Sequence, residues 1–443
     1  MSKSLYLLMI LSFMVTLGGC NDDEGISVPN HAPTYSVKMG GIFPFTGGLS
    51  EKGKPRHQAA LLAVEHLTEA GFSVGWVVAD SETNPETGVK VARELIEKGG
   101  AKIIIGAASS GVTIAIAKQV TIPNQVPQIS YSSTSVEITD LEDDKNRNFL
   151  FRTVVSDKLQ GGVLAKLAFD KGYKRVSVLY VDDPYGRDLN ESFTKRFKEL
   201  GGEEVVAAAH EQIGGSDLTD NQKAKDILLA GLQEAHTGET EALIAMSYSQ
   251  YVKVFLPMAI EDYSFNQFIF ADGIQPKNVI EIEGIDNLDK VCGTSPGAKQ
   301  TDSLDNFSKS YKKEYNESPK DFYQPNVYDA VVVAGLAAYA AQAIGEVTPF
   351  TIRDYLSRVN DPEGQKVIAG EEGLKRAMKI LDSGVTINYE GASGNVDFDE
   401  NGDVITPIRS WCFEGGEEKT REICDFQDFQ ALNELKWNEL KCK

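Results

Sequence analysis

Five cysteines, five histidines and three tryptophans in 443 residues leave few of the side chains from which metal centres and thiol chemistry are built. His31, His57, His66, His210 and His236 form no HExxH and no pair at helical spacing with a carboxylate, so a zinc site is not expected. There is no CxxC, no phosphate loop of the GxxxxGK[ST] or GxGxxG kind, and no Gly-x-Ser-x-Gly elbow, since Ala107 stands at the first glycine position before Ser109. Without a nameable nucleophile and base the sequence points away from an enzyme, and no cofactor is expected. Positive charge is also short: 44 Lys and Arg against 65 Asp and Glu give a net charge of −21. Such a surface repels nucleic acid and anionic lipid headgroups. Long apolar runs are missing except for Leu5 to Leu17, which is shorter than the roughly 20 residues a membrane span needs.

That one run sits in MSKSLYLLMILSFMVTLGGC, behind Lys3 and ahead of small residues, and reads as an export signal over 1–19. Its end, Leu17-Gly18-Gly19-Cys20, resembles the lipobox at which bacterial lipoproteins are cleaved and acylated. Cys20 is therefore expected to carry a lipid, the chain's only membrane contact, with 20–34 as a polar tether. Cleavage would remove one lysine and no acid, deepening the negative charge. Four cysteines would remain, an even number that in an exported chain favours disulfides, with three pairings possible. Cys412 and Cys424 flank an acidic, Gly-rich loop and are the expected pair, leaving Cys292 with Cys442.

From Tyr35 onward short β-rich runs alternate with segments of helical period: SVKMGGIF, PRHQAALLAVEHLTEA, VGWVVAD, ETGVKVARELIEK, AKIIIG. The alternation restarts after FRTVV with LQGGVLAKLAFDKG, RVSVLYV, a helix from Tyr185 to Leu200, EVVAAA, ALIAM and QFIFAD. This pattern predicts an α/β fold of two doubly wound parallel sheets in tandem. In such sheets ligands lie beyond the carboxyl ends of the strands. The residues there are small and polar: PFTGGLSEKG after the first strand, then AASSG, YSSTS, DDPYG and DGIQ.

Ser109 and Ser110 stand where IIIG becomes a helix, beside unpaired N–H groups and among residues without bulk, so a small carboxylate has room to approach. Capping the helix is the plainer use of either serine. Ser132, Ser133 and Thr134 follow the next strand, inside a run of five hydroxyl residues from Tyr131 to Ser135, and two such loops side by side predict converging donors and acceptors. If the ligand also carries a positive group, Asp272 at the end of FIFAD is placed to meet it; taken alone it reads as a turn residue.

In this order the stretches GIFPFTGGLSEKGKPRHQAALLAVEHL, DSETNPETGVKVARELIEK, IIIGAASSGVTIAIAK, VPQISYSSTSVEITD, YVDDPYGRDL, FADGI and YEGASGNVDFDENGDV resemble the type I periplasmic solute-binding proteins of importers for branched-chain and other amino acids. The resemblance runs from about Ser36 to Arg409. It implies two lobes joined by three crossovers that close on an amino acid, with Ser109, Ser132 and Thr134 holding its carboxylate and amine. It also implies roles for Tyr185, for Tyr248 or Tyr251, and for Asp272 as partner of the α-amino group. Lys52 stands in the first loop where several such proteins have an aromatic wall.

The expected organisation is thus a first lobe of 35–153 and 296–385, a second of 154–295 and 386–426, and a tail of 427–443. The expected function is extracytoplasmic binding of a small amino acid or related amide or carboxylate, delivered to an ABC permease, with ligand sensing for a separate signalling partner as the alternative and amide hydrolysis as the weakest reading.

Overall fold

The fold is described from a computed structural model. It describes residues 35–443 apart from 216, 237, 281, 283–287, 298, 427–436, 438, 439, 441 and 443. The expected export signal, Cys20 and the tether lie outside the described residues.

The first half builds β1 (Val37–Phe43), α1 (Gly53–Glu69), β2 (Val74–Asp80), α2 (Pro85–Glu97), β3 (Ile103–Ile105), α3 (Ser110–Ile116), β4 (Gln128–Ser130), α4 (Val136–Thr139) and β5 (Leu150–Arg152). The strands pair in the order β2-β1-β3-β4-β5, all parallel. Helices cover both faces, which is why β3, β4 and all of β1 beyond Lys38 are buried. The order reverses between β1 and β3, and a doubly wound sheet opens a crevice at that switch point. The chain leaves β1 through Pro44–Lys52 and β3 through Gly106–Ser109, so those loops face the crevice.

The second sheet follows from α5 (Asp157–Asp170), β6 (Arg175–Val181), α6 (Pro184–Leu200), β7 (Glu204–His210), α7 (Gln222–Ala235), β8 (Ala242–Met246), α8 (Ser249–Glu261), β9 (Phe268–Phe270), α9 (Pro276–Ile280) and β10 (Val291–Pro296). The chain then returns to the first lobe with α10 (Asp302–Tyr315), α11 (Gln324–Gln342), α12 (Pro349–Val359), β11 (Gln365–Ile368), α13 (Glu371–Asp382), β12 (Ile387–Gly391) and β13 (Gly394–Asn395). Helix α11 is apolar almost all round and buried along nearly its whole length against α1, α12 and α13. Only β14 (Ile408–Glu414) and β15 (Glu417–Cys424) rejoin the second sheet, whose order is β15-β14-β10-β9-β8-β6-β7. Its reversal falls between β6 and β8, placing the loops after them at a second crevice. Strand β12 pairs with β11 on one side and β13 on the other and packs on the α10–α13 layer, whereas the sequence reading assigned 386–426 to the second lobe.

The crossover before β14 is fastened by charge. Arg152, fully buried at the end of β5, donates from Nε and Nη2 to the two oxygens of Asp403 (2.6 and 2.8 Å) and from Nη1 to Ser135 O (2.9 Å). The motif FDENGD is the turn that delivers this aspartate: Asp399 Oδ1 accepts from the backbone N–H groups of Asn401 and Asp403.

The expected cysteine pairing is corrected. Cys292 is bonded to Cys412 and Cys424 to Cys442. Gly415 and Gly416 both have positive φ and form a two-residue turn between β14 and β15. That short turn sets Cys412 opposite Lys419 and carries Cys424 to the far end, opposite Ile408. On its other side β14 runs antiparallel to β10 with Cys412 directly across from Cys292, their Cα atoms 4.0 Å apart. In the chain-entropy picture, closing loops of 120 and 18 residues contributes about 5 and about 3 kcal/mol. Non-reducing peptide mapping is expected to find both links; a Cys412–Cys424 peptide would overturn this strand register.

Candidate functional site

The crevices of the two sheets face each other, and the cleft between them holds about 360 Å³ of atom-free space, part of it open to solvent. Its walls come from the strand-end loops that the topology selects: Leu49, Lys52 and Arg56 after β1, Ala108 to Ser110 after β3, Ser132 after β4, Tyr185 after β6, Tyr248 after β8, and Asp272 and Gly273 after β9. Tyr323, just before α11, completes them.

The serine loops divide into framework and face. Gly106 has φ +141°, and a Cβ there would lie 2.7 Å from Ile42 O, so only glycine lets β3 turn away this close to β1. The loop it starts is tied down by hydroxyls: Ser130 Oγ donates to Ala107 O (2.9 Å), Ser132 Oγ to Ala108 O (2.9 Å), and Thr113 Oγ1 accepts from Ala107 N (3.0 Å). Ser133, fully buried, bonds Thr113 Oγ1 (2.8 Å). Ser110 Oγ accepts from Ser135 N (3.2 Å). Ser109 is the exception. It occupies the N-cap position of α3 without using its side chain as a cap, and that hydroxyl makes no hydrogen bond among the described residues.

The acidic end is built on the second lobe. Asp183 caps α6, accepting from Gly186 N at Oδ1 (2.9 Å) and from the Tyr248 hydroxyl at Oδ2 (2.6 Å); burial pushes its carboxyl up to about 6. Tyr248 stacks on Tyr185, ring centroids 5.5 Å apart. The Tyr185 hydroxyl donates to Asp272 Oδ1 (3.0 Å), Gln160 Nε2 donates to the same oxygen, and Tyr323 reaches across the cleft to donate to Oδ2. Burial raises the Asp272 carboxyl, and the bonds from Tyr323, Gln160 and Tyr185 oppose that rise. Behind it, fully buried Asp157 accepts from Thr134 Oγ1 (2.8 Å), while its Oδ1 and the amide oxygen of Gln160 have no partner among the described residues. Burial first, and Asp272 second, push Asp157 well above the ordinary range. With three donors on Asp272 and one on Asp157, the charge belongs on Asp272 and the proton on Asp157.

The cationic end belongs to the first lobe. Lys52 and Arg56, four residues apart across the start of α1, are 1% and 3% exposed. Arg56 Nε donates to Asp321 Oδ1 (3.1 Å), Nη2 lies 3.4 Å from Oδ2, and Nη1 donates to Ser132 Oγ (2.9 Å). Its guanidinium lies 4.7 Å from the Tyr323 ring centroid. Burial would raise the Asp321 carboxyl, but Arg56 and Lys52 outweigh it and hold it down at about 2.

The expected residues therefore separate. Lys52, Ser109, Ser110, Ser132, Tyr185, Tyr248 and Asp272 line the cleft. Ser133 and Thr134 lie beneath its surface, held by Thr113 and Asp157. Of the two tyrosines left open, Tyr251 points away, its hydroxyl accepting from Ile213 N (2.6 Å) and donating to Ile213 O (3.1 Å). Sequence reasoning missed Arg56, Asp157, Gln160, Asp321 and Tyr323. Arg56 was detectable as the helical i+4 neighbour of Lys52. Asp321 and Tyr323 follow no strand and carried no signal.

The Arg56–Asp321 pair makes the site acid-sensitive. A carboxyl with a depressed folded-state pKa contributes stability above its unfolded value near 4 that is lost as pH falls toward 2. The loss expected from Asp321 alone is about 2 kcal/mol. Arg56→Met strands the buried Asp321, costing about 3–5 kcal/mol at neutral pH. Urea unfolding at pH 4.5 and 2.5 should also show a shallower pH slope in the variant; a slope equal to wild type would refute the coupling.

Residues 55–408 match the family described as "Receptor family ligand binding region". The chain is 27% identical over 380 residues to the chemotactic signal transduction system substrate-binding protein BasB of Halobacterium salinarum, across 82% of this chain and 83% of that protein. It is 24% identical over 378 residues to the leucine-, isoleucine-, valine-, threonine-, and alanine-binding protein of Pseudomonas aeruginosa, across 84% and 88%. In architecture it is similar to the crystal structure of a leucine-binding protein from Thermotoga maritima, with a TM-score of 0.70 and 24% identity over 88% of this chain and 99% of that one. Each of these relatives is named as a binding protein. The chain therefore belongs to the receptor family ligand-binding regions, with the fold of the type I periplasmic binding proteins.

Proposed function

We propose that this solute-binding protein is exported, anchored by a lipid on Cys20, and closes over a small α-amino acid or a related amide or carboxylate that it delivers to an ABC permease. The observation that carries the amino-acid reading is the polarity of the cleft: a buried carboxylate, Asp272, on one lobe and an unused serine hydroxyl, Ser109, on the other. An α-ammonium would meet Asp272, with the unpartnered oxygens of Asp157 and Gln160 behind it. The α-carboxylate would take donors from Ser109 and the loop around Ser132. Neither lobe offers both sets, so the ligand is held fully only when the lobes meet, and closure follows as a population shift.

The name of the Halobacterium relative, a component of a chemotactic signal transduction system, supports a second reading in which the closed form is presented to a separate signalling partner. The same closure serves either output.

Asp272→Asn keeps size and hydrogen bonding but removes the charge. Losing one member of a buried charged pair typically costs about 2–5 kcal/mol, so affinity for the best α-amino acid should fall at least tenfold by calorimetry. Ser109→Ala should cost less, about 1–2 kcal/mol, for one charge-assisted hydrogen bond. An unchanged dissociation constant for Asp272→Asn would falsify the ammonium assignment. Separately, Cys20→Ser should move the protein from the membrane fraction to the soluble one; membrane retention equal to wild type would rule out the anchor.

A further inference from the structure

Lys52 is an unusual wall for an amino-acid pocket. It is 1% exposed, yet its side chain lines the cleft beside Leu49 and Arg56. A buried ammonium needs partners for its charge and its three N–H bonds. The structure supplies two. Nζ lies 2.8 Å from Glu51 Oε1 and 3.3 Å from Asn278 Oδ1.

Both partners are compromised. Glu51 has a side chain 36% exposed, so water screens its attraction, and its two oxygens also receive Asn278 Nδ2 at 3.0 and 3.1 Å. Asn278 Oδ1 accepts from Ser249 Oγ (2.8 Å) and Gln275 N (3.2 Å) as well, so Lys52 is the most distant of three donors sharing two lone pairs. Burial pulls the Lys52 ammonium down to about 8, with Glu51 and Asp321 only partly restoring it. Among the described residues, one N–H is left over. Arg56, by contrast, is held by Asp321, Ser132 and the Tyr323 ring.

The apolar part of the wall is correspondingly thin. Leu49 and Ala108 are its aliphatic residues, and the three tyrosines are aligned by Asp183 and Asp272. A branched aliphatic side chain placed here would offer the buried ammonium no acceptor.

Resting on the amino-acid reading above, we propose that Lys52 is the specificity-determining residue of this cleft, donating to a carbonyl or carboxylate oxygen at the end of the ligand's side chain, so that acidic amino acids and their amides are preferred over branched-chain ones. An anionic side chain would complete the shell of Lys52 with a short charge-assisted bond, and an amide oxygen would complete it with a neutral one. The α-ammonium keeps Asp272 as its partner.

The test is calorimetry on the wild-type protein with L-glutamate, L-aspartate, L-glutamine and L-asparagine against L-leucine, L-isoleucine and L-valine. At least one of the first four should bind ten times more tightly than any of the last three. Lys52→Met, which keeps length and bulk while leaving Glu51 exposed enough to remain solvated, should weaken that ligand at least tenfold and leave L-leucine unchanged or improved; Lys52→Arg should restore part of the loss. Tighter binding of a branched-chain amino acid to the wild type overturns the proposal and leaves the amino-acid reading standing. Equal weakening of polar and aliphatic ligands by Lys52→Met overturns it too, since that is the mark of a structural role. Binding of none of the seven overturns this preference, while binding of another α-amino acid in the same calorimetry leaves the amino-acid reading standing. The wild-type series decides the preference even if a variant fails to fold.

Discussion

Charge buried in the cleft is the constraint on which the rest of this structure turns. Lys52, Arg56, Asp157, Asp272 and Asp321 are all taken from water where the lobes meet. Each must be neutralised or hydrogen-bonded, or the fold loses several kcal/mol per stranded ion. The solutions differ, and the differences assign the roles. Asp321 and Arg56 neutralise each other and form framework. Asp272 is satisfied by neutral donors alone, Tyr185, Tyr323 and Gln160, which stabilise its charge without cancelling it. A carboxylate held in this way keeps its attraction for a cation that arrives later.

The same constraint explains why the lobes touch here. Tyr323 donates across the cleft to Asp272, Gln275 Nε2 donates to Asp321 Oδ2 (2.9 Å), and Asn278 bonds Glu51. These bonds join groups that would otherwise be solvated separately, so closing exchanges water for protein contacts of similar strength. A ligand then needs to contribute only a modest surplus to favour the closed form. The crossovers are made firm by the buried Arg152–Asp403 pair, and the Cys292–Cys412 link fastens β10 to β14.

Hydroxyl-rich loops need a similar distinction between framework and face. In the stretch from Tyr131 to Ser135 each side chain has a partner in the protein: Ile42 O for Tyr131, Ala108 O for Ser132, Thr113 for Ser133, Asp157 for Thr134 and Asp188 for Ser135. Ser132 and Ser133 thereby hold the backbone of Ala107 and Ala108, and the others tie the loop to its neighbours. Ser109, one residue beyond Ala108, has a hydroxyl unengaged among the described residues. A serine that does not cap the helix it begins has given up an available hydrogen bond, and that is the local mark of a site kept for something else.

The alternation of β-rich and helical segments, the two strand-end crevices and the small residues lining them were legible in the sequence, because strand and helix periods and glycine geometry are local properties. So were Ser109, the hydroxyl run from Tyr131 to Ser135 and Asp272 as strand-end residues, whereas Tyr185 and Lys52 entered through the family resemblance. What the sequence could not separate was Tyr248 from Tyr251, or Ser132 from Ser133 and Thr134, since neighbours in one loop differ only in which way the folded backbone turns them. Nor could it pair the cysteines: a two-residue turn and the alignment of β10 with β14, 120 residues apart in sequence, decide that Cys412 faces Cys292. Asp157, Gln160, Asp321 and Tyr323 came to the cleft only through packing of distant helices. Chemistry that depends on a residue's type and its place at a strand end was fixed locally, and chemistry that depends on burial and on partners far along the chain was settled by the tertiary structure.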